Sequence, residues 1–226
     1  MECLHLIPGW FVGLNILLKI ILLIFTGVIA YYSLKIYRLS NQKELKFFGL
    51  AFSFLSISYF ITVWINIFFL SIAGSNIRAL DIDDIIGIKN LAVALYILFY
   101  MLSFITLFYI TLKSKNLKIY ALLIFLSIIA ITFSYDKSLM LYLIPSIFLI
   151  LVTYYYITQY LASKNKNTLL VSIAMAVLLV SNLCMISIPN CILPSRYVFS
   201  AFLEIIAYSL IVFSLFRILK NGKKTR

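Results

Sequence analysis

The sequence predicts an all-α membrane protein, a seven-transmembrane-helix bundle with its N-terminus outside and its C-terminus cytoplasmic. Three observations predict it. Hydrophobic residues make up 64% of the 226 residues and charged residues only 12%, against about half and about a quarter in a soluble domain. Seven apolar stretches can be cut from the chain, each near the length that crosses a bilayer. Lysine and arginine collect in every second gap between those stretches.

A spanning helix needs about 20 apolar residues. The first candidate covers residues 10–33 and the second 47–72, which is long enough to tilt. The third covers 84–112, most apolar after Asn90, and the fourth, 119–135, is the shortest. The fifth, sixth and seventh cover 139–161, 169–188 and 197–219. No strand-like alternation competes with them, and a helix satisfies its own backbone hydrogen bonds where water is absent. The chain 1–226 therefore reads as one transmembrane domain ending in a short basic cytoplasmic tail, 220–226. The amino end lacks the basic region of a signal peptide, so the first span is expected to be retained.

The charges set the orientation. Lys35, Arg38, Lys43 and Lys46 follow the first span; Lys113, Lys115 and Lys118 follow the third; Lys164 and Lys166 follow the fifth. Arg217, Lys220, Lys223, Lys224 and Arg226 close the chain, making 14 basic residues on one side. The other side has 4: Arg78, Lys89, Lys137 and Arg196. This bias places the basic side in the cytoplasm, and only an odd number of spans preserves it through to the tail. The net charge of +12 thus reads as anchoring against anionic headgroups of the lipid bilayer. Nucleic acid is excluded as a partner, because the basic residues flank apolar spans and form no single patch.

Smaller features fit the same plan. Asp83 and Asp84 stand where carboxylates favour a helix start, and capping explains the Asp81, Asp83, Asp84 group better than a calcium loop does. Pro189 and Pro194 bound the gap before the seventh span, and Pro145 falls inside the fifth. Trp10 and Trp64 suit an outer aromatic belt; Tyr31, Tyr32, Tyr154, Tyr155, Tyr156 and Tyr160 suit an inner one. Gly9 and Gly13 form a weak GxxxG packing signal.

No enzyme is expected. GxSxG, HExxH and phosphate-binding glycine loops are absent. His5, the only histidine, lacks a positioned partner. Cys3, Cys184 and Cys191 form no CxxC and no Cys/His cluster, so no metal site is expected. A Cys3–Cys191 bridge is one alternative; unpaired thiols are the expected state. No cofactor is implied, and the last span carries no lysine that could anchor a retinal Schiff base.

The ionisable residues inside spans are the candidate site. Lys19 lies nine residues past Trp10, roughly 13 Å below the outer boundary, and Glu204 eight past Arg196, roughly 12 Å below it. Each charge alone costs about 2.5–3.5 kcal/mol near the bilayer centre, and the first and last helices of a closed ring are neighbours. Lys19 and Glu204 are therefore expected to face each other as a membrane-embedded polar pair, structural or functional. The alternative is that Lys19 snorkels, with the first helix beginning near Ile20. Asn15, one turn before Lys19, Tyr208, one turn past Glu204, and Asn182 are candidates for lining an outer pocket. Asn66 fits ordinary interhelical hydrogen bonding better.

A faint repeat relates Tyr37, Ser40, Ala51, Leu55 and Ser58 to Tyr160, Ser163, Ala174, Leu178 and Ser181 at an offset of 123. Read as a duplication, it implies a three-plus-one-plus-three plan with the fourth helix as connector, as in some transporters. Read as chance, it reflects five matches in a biased alphabet.

The passages YRLSNQKELKFFGLAFSFLSISYF, SKNKNTLLVSIAMAVLLVSN and FLEIIAYSLIVFSLFRILK each place a basic or polar loop before helix faces of small and large apolar residues. In this the chain resembles the seven-helix membrane sensor regions of prokaryotic histidine kinases, over about a third of its residues and without the kinase domain. The resemblance implies a seven-helix sensor whose output comes from a separate cytoplasmic protein partner at the basic inner face. The expected function is a non-enzymatic sensor or interaction module in the cell membrane, with a small-molecule ligand the sequence does not identify. The alternative is a small secondary transporter with a membrane-embedded Lys/Glu site, and a third reading is a scaffold subunit.

Overall fold

The computed structural model describes residues 9–74, 82–112, 116–133, 137–186 and 194–224. They form seven helices: α1 (Gly9–Ser40), α2 (Lys43–Gly74), α3 (Ile82–Thr111), α4 (Leu117–Thr132), α5 (Lys137–Ser163), α6 (Lys166–Ile186) and α7 (Pro194–Lys224). All except α4 contain a stretch long and apolar enough to cross a membrane. The chain is a multi-pass membrane protein. Its outward faces agree: Ile24, Phe60, Phe125 and Phe213 are each more than half exposed, which water would penalise and acyl chains do not.

The six long helices close a ring in the order α1, α2, α3, α5, α6, α7, with α7 packed back on α1. The short α4 stands outside, against α3 and α5. Within the expected seven-helix bundle, the ring itself is thus made of six helices. With 16 residues, α4 is about 24 Å long, against about 30 Å of hydrocarbon core.

Side-chain pairs give the helix directions. Phe11 meets Tyr197 and Tyr32 meets Phe216, so α1 and α7 run parallel. Phe47 meets Tyr109 and Phe54 meets Phe99, so α2 and α3 run antiparallel. Tyr120 of α4 bonds Thr106 and meets the Tyr109 ring at a tilt, while Ile131 and Thr132 share a groove with Ala94, Ile97 and Leu98. Thus α4 returns alongside α3. We call the end where α1, α3, α5 and α7 begin the upper end, and the other the lower end. The lower end carries most of the basic residues.

The ring consists of two three-helix units of like order and direction, α1–α3 and α5–α7, joined by α4. Local detail follows the offset of 123. The α1–α2 link turns at Asn41 (φ 55°) and the α5–α6 link at Lys164 (φ 50°), both left-handed. The Asn41 amide donates to the Tyr37 carbonyl at 2.8 Å, and the Lys164 amide to that of Tyr160 at 2.7 Å, the αL cap that ends many helices. Ala51 and Ala174, Leu55 and Leu178, and Ser58 and Ser181 are all buried.

The core runs down the axis through Phe52, Leu55, Phe104, Ile105, Leu149, Met175, Leu178 and Ile211. Several buried hydroxyls are satisfied locally, as where Thr26 donates to the Leu22 carbonyl at 2.8 Å and Ser146 to that of Tyr142 at 2.7 Å, while those of Ser33, Ser58, Ser103 and Thr153 find no partner among the described residues. Such back-bonding lets serine and threonine sit in an apolar helix. Pro145 lies within α5, and the helix continues through it. Around Gly13 nothing lies near enough to meet an added methyl, so the Gly9/Gly13 pattern marks no tight crossing there. Asp83 and Asp84 fall in the first turn of α3. His5, Cys3, Asp81 and Cys191 lie outside the described residues, and Cys184 is a free thiol.

The close crossing is elsewhere, at Gly49 of α2. A methyl added there would come within 2.9 Å of Leu34 Cγ and 3.4 Å of the Ala30 carbonyl of α1. At Gly27 it would meet only Ser56 Oγ at 3.6 Å. Gly49→Ala should therefore destabilise the protein by about 1–3 kcal/mol, while Gly27→Ala should stay within about 0.5 kcal/mol of wild type. Thermal unfolding of both in detergent checks this; equal effects would contradict the packing.

Candidate functional site: a buried charged chamber

Six helices aim polar groups at one chamber near the upper end. It is lined by Lys19 from α1, Tyr96 and Tyr100 from α3, Tyr142 from α5, Met185 from α6, and Tyr197, Ser200, Ala201 and Glu204 from α7. Its free volume is about 10 Å³, room for on the order of one water molecule. Tyr59 of α2 completes it, through contacts with both charged groups.

Glu204 is buried. The Tyr59 hydroxyl donates to its Oε2 at 3.0 Å, and the Ser181 hydroxyl reaches Oε1 at 3.5 Å. Lys19 is half-buried, and its Nζ lies 4.9 Å from the ring centre of Tyr59 and 5.5 Å from that of Tyr197. Both distances are within cation–π range, and such contacts are worth about 2 kcal/mol when water is excluded.

Lys19 and Glu204 share the chamber without a direct ion pair. Tyr59 joins them: its ring faces the ammonium and its hydroxyl holds the carboxylate. One side chain thus lowers the cost of two buried charges. The geometry follows from sequence position. On α7, Tyr197, Ser200, Ala201 and Glu204 recur at three- and four-residue spacing and share a face. Tyr96 and Tyr100 do so on α3.

Asn15, Asn182 and Tyr208 stand behind the lining. The Tyr197 hydroxyl donates to Asn15 Oδ1, which fixes the ring over which Lys19 lies. The Tyr100 hydroxyl donates to Asn182 Oδ1 at 3.0 Å, and Asn182 Nδ2 donates to the Leu178 carbonyl at 3.1 Å. The Tyr208 and Tyr59 hydroxyls pair at 3.1 Å. Each side chain positions a tyrosine of the chamber. Asn66 lies outside this set. Ser181 and Ser200 bond each other at 2.8 Å and tie α6 to α7 beside the carboxylate.

Sequence reasoning missed Tyr59, Tyr96, Tyr100, Tyr142 and Tyr197. For Tyr59, Tyr96 and Tyr100 the signal was depth, since each lies well inside its span and is no interfacial belt residue; Tyr142 and Tyr197 stand near the start of theirs and carried no such signal. No group of three or more His, Cys, Asp or Glu side chains is placed for a metal ion among the described residues.

A second cavity opens at the lower end, with about 270 Å³ of free space. Its wall pairs positions related by the 123 offset: Gln42 with Asn165, Glu44 with Asn167, Leu45 with Thr168, and Phe48 with Val171. The buried Oδ1 of Asn167 has no hydrogen-bond partner. On α2, eleven residues separate Phe48 of this vestibule from Tyr59, about 16 Å, and the apolar core fills the interval.

Compared with known proteins, the chain matches no family model, no curated protein and no solved structure.

Tyr59→Phe keeps the ring over Lys19 but removes the donor to Glu204, and should cost about 1.5–3 kcal/mol, the range for a hydrogen bond to a charged group. Tyr100→Phe, which releases the neutral Asn182 amide oxygen, should cost about 0.5–1.5 kcal/mol. Thermal unfolding ranks the two, and the reverse order would contradict the bridging role of Tyr59.

Proposed function

We propose that this is a seven-span protein of the cell membrane, upper end outside and lower end cytoplasmic, that carries a small polar solute between the charged chamber and the lower vestibule. The observation that carries this reading is the pairing of two like-directed three-helix units around one axis, with a polar cavity at each end and an apolar plug between. Parallel repeats that rock about a site at their interface are a recurrent transporter plan. The vestibule supplies the lower access that such a cycle needs. The orientation rests on the basic lower end.

The crossing of α4 belongs to the same proposal. Because α3 and α5 run in one direction, the chain must return between them, and α4 lies on that route. A cysteine placed at Asp136 in a Cys-free background should react with an impermeant reagent from outside. One at Lys115 should react only after permeabilisation. Labelling of both from the same side would contradict a seven-span topology.

A second reading, a non-enzymatic sensor, is favoured by the density of the plug. Phe52, Leu55, Phe104, Ile105, Met175, Leu178 and Ile211 are all at most 2% exposed, and a core so packed transmits shifts between its ends. The basic lower face would then dock a cytoplasmic protein, as the likeness to kinase sensor regions implies.

Uptake separates the two. Purified protein in liposomes, offered labelled small amines, zwitterions and carboxylates, should accumulate one class, and Glu204→Gln should abolish that uptake. No protein-dependent uptake of any class would overturn the carrier reading in favour of the sensor.

A further inference from the structure

The walls of the upper chamber are unusual for a site that holds a lysine. They offer one carboxylate, Glu204, and tyrosine rings from five positions. Among the described residues, Lys19 is the only basic one that lines it. Its ammonium lies over the rings of Tyr59 and Tyr197, the arrangement in which aromatic side chains hold alkylammonium ligands. The lining recognises a cation, and this cation belongs to the chain itself.

We propose that the chamber is a seat for a small primary ammonium ion, and that Lys19 is its tethered occupant in this conformation. The free volume of about 10 Å³ leaves no room for a second organic group beside the lysine, so a free amine must replace it. The means of replacement lies in the lysine stem, which is unbranched, flexible and able to withdraw along the helix surface. A bare metal ion fits less well. Hard cations take several oxygen ligands, whereas the Lys19 ammonium here meets two ring faces as well as the Tyr197 hydroxyl. An anion would have to lie against Glu204. The proposal deepens the reading of the chamber as a solute site but requires no transport.

Lys19→Ala deletes three carbons and the ammonium, so n-propylammonium is the matching probe and n-propanol its neutral control. A ligand of four heavy atoms binds in about the millimolar range or more weakly. At about ten times its dissociation constant, propylammonium should raise the thermal midpoint of detergent-solubilised Lys19→Ala by about 3–6 °C. Propanol should not, and Lys19→Ala/Glu204→Gln should lose the response. An equal response to propanol, or none to either, would overturn the proposal.

The wild type provides an independent arm should Lys19→Ala fail to fold. Saturation-transfer NMR should show propylammonium binding to wild type, more weakly than to Lys19→Ala, and not to Glu204→Gln. Rescue of the variant with no Glu204-dependent binding to wild type would make Lys19 a fixed clip and overturn the exchange. Because binding is read in detergent, loss of liposome uptake with binding intact would sink the carrier reading alone.

Discussion

Two opposite charges inside an apolar ring are the constraint around which the upper half of this protein is organised. A lysine and a glutamate within spans each carry a cost of a few kcal/mol in lipid. Here neither is neutralised by direct contact with the other. Tyr59 presents its ring to Lys19 and its hydroxyl to Glu204. Tyr197, Ser181 and Tyr208 support one or other of these three groups. Because these side chains come from α1, α2, α6 and α7, holding the charges also closes the ring, and α7 is brought back onto α1.

The same arrangement explains why α4 stands apart. The ring closes with six helices, three from each unit, and each unit begins at the upper end. A connector must therefore run back along the outside, and α4 does so against α3 and α5. It contributes nothing to the chamber or to the vestibule. It can therefore be shorter than its neighbours without disturbing either, and its outward residues, such as Phe125, remain exposed.

Much of the fold was legible because membrane helices obey strong rules. Apolar length marked the helices, and the alternation of basic gaps marked their two ends. The repeat was visible only as five scattered identities, yet those positions are structural: Ser40 and Ser163 end helices just before the left-handed residues Asn41 and Lys164, and Ala51 and Ala174 are fully buried in the core. The charged side chains Lys19 and Glu204 stood out because any charge in a span does. The tyrosines did not. Of 16 in the chain, six read as belt residues, and for the rest a period of 3.6 does not reveal which face of an all-apolar helix meets the axis. The place of α4 outside the ring was legible only through the repeat, which makes the fourth helix a connector, and through its shortness; the pattern of its residues, mostly apolar all round, gave no sign of it.

The account depends on Lys19 and Glu204 being energetically linked through one chamber, and a double-mutant cycle measures that link most directly. Lys19→Met, Glu204→Gln and the double variant can be compared by thermal unfolding in the same detergent. The expected result is a double variant more stable than the sum of the single effects implies, with a coupling of about 1–3 kcal/mol, because each single change leaves the other charge buried alone. Effects that add to within about 0.5 kcal/mol would mean that the two residues do not share an environment, and would contradict the chamber on which the rest is built.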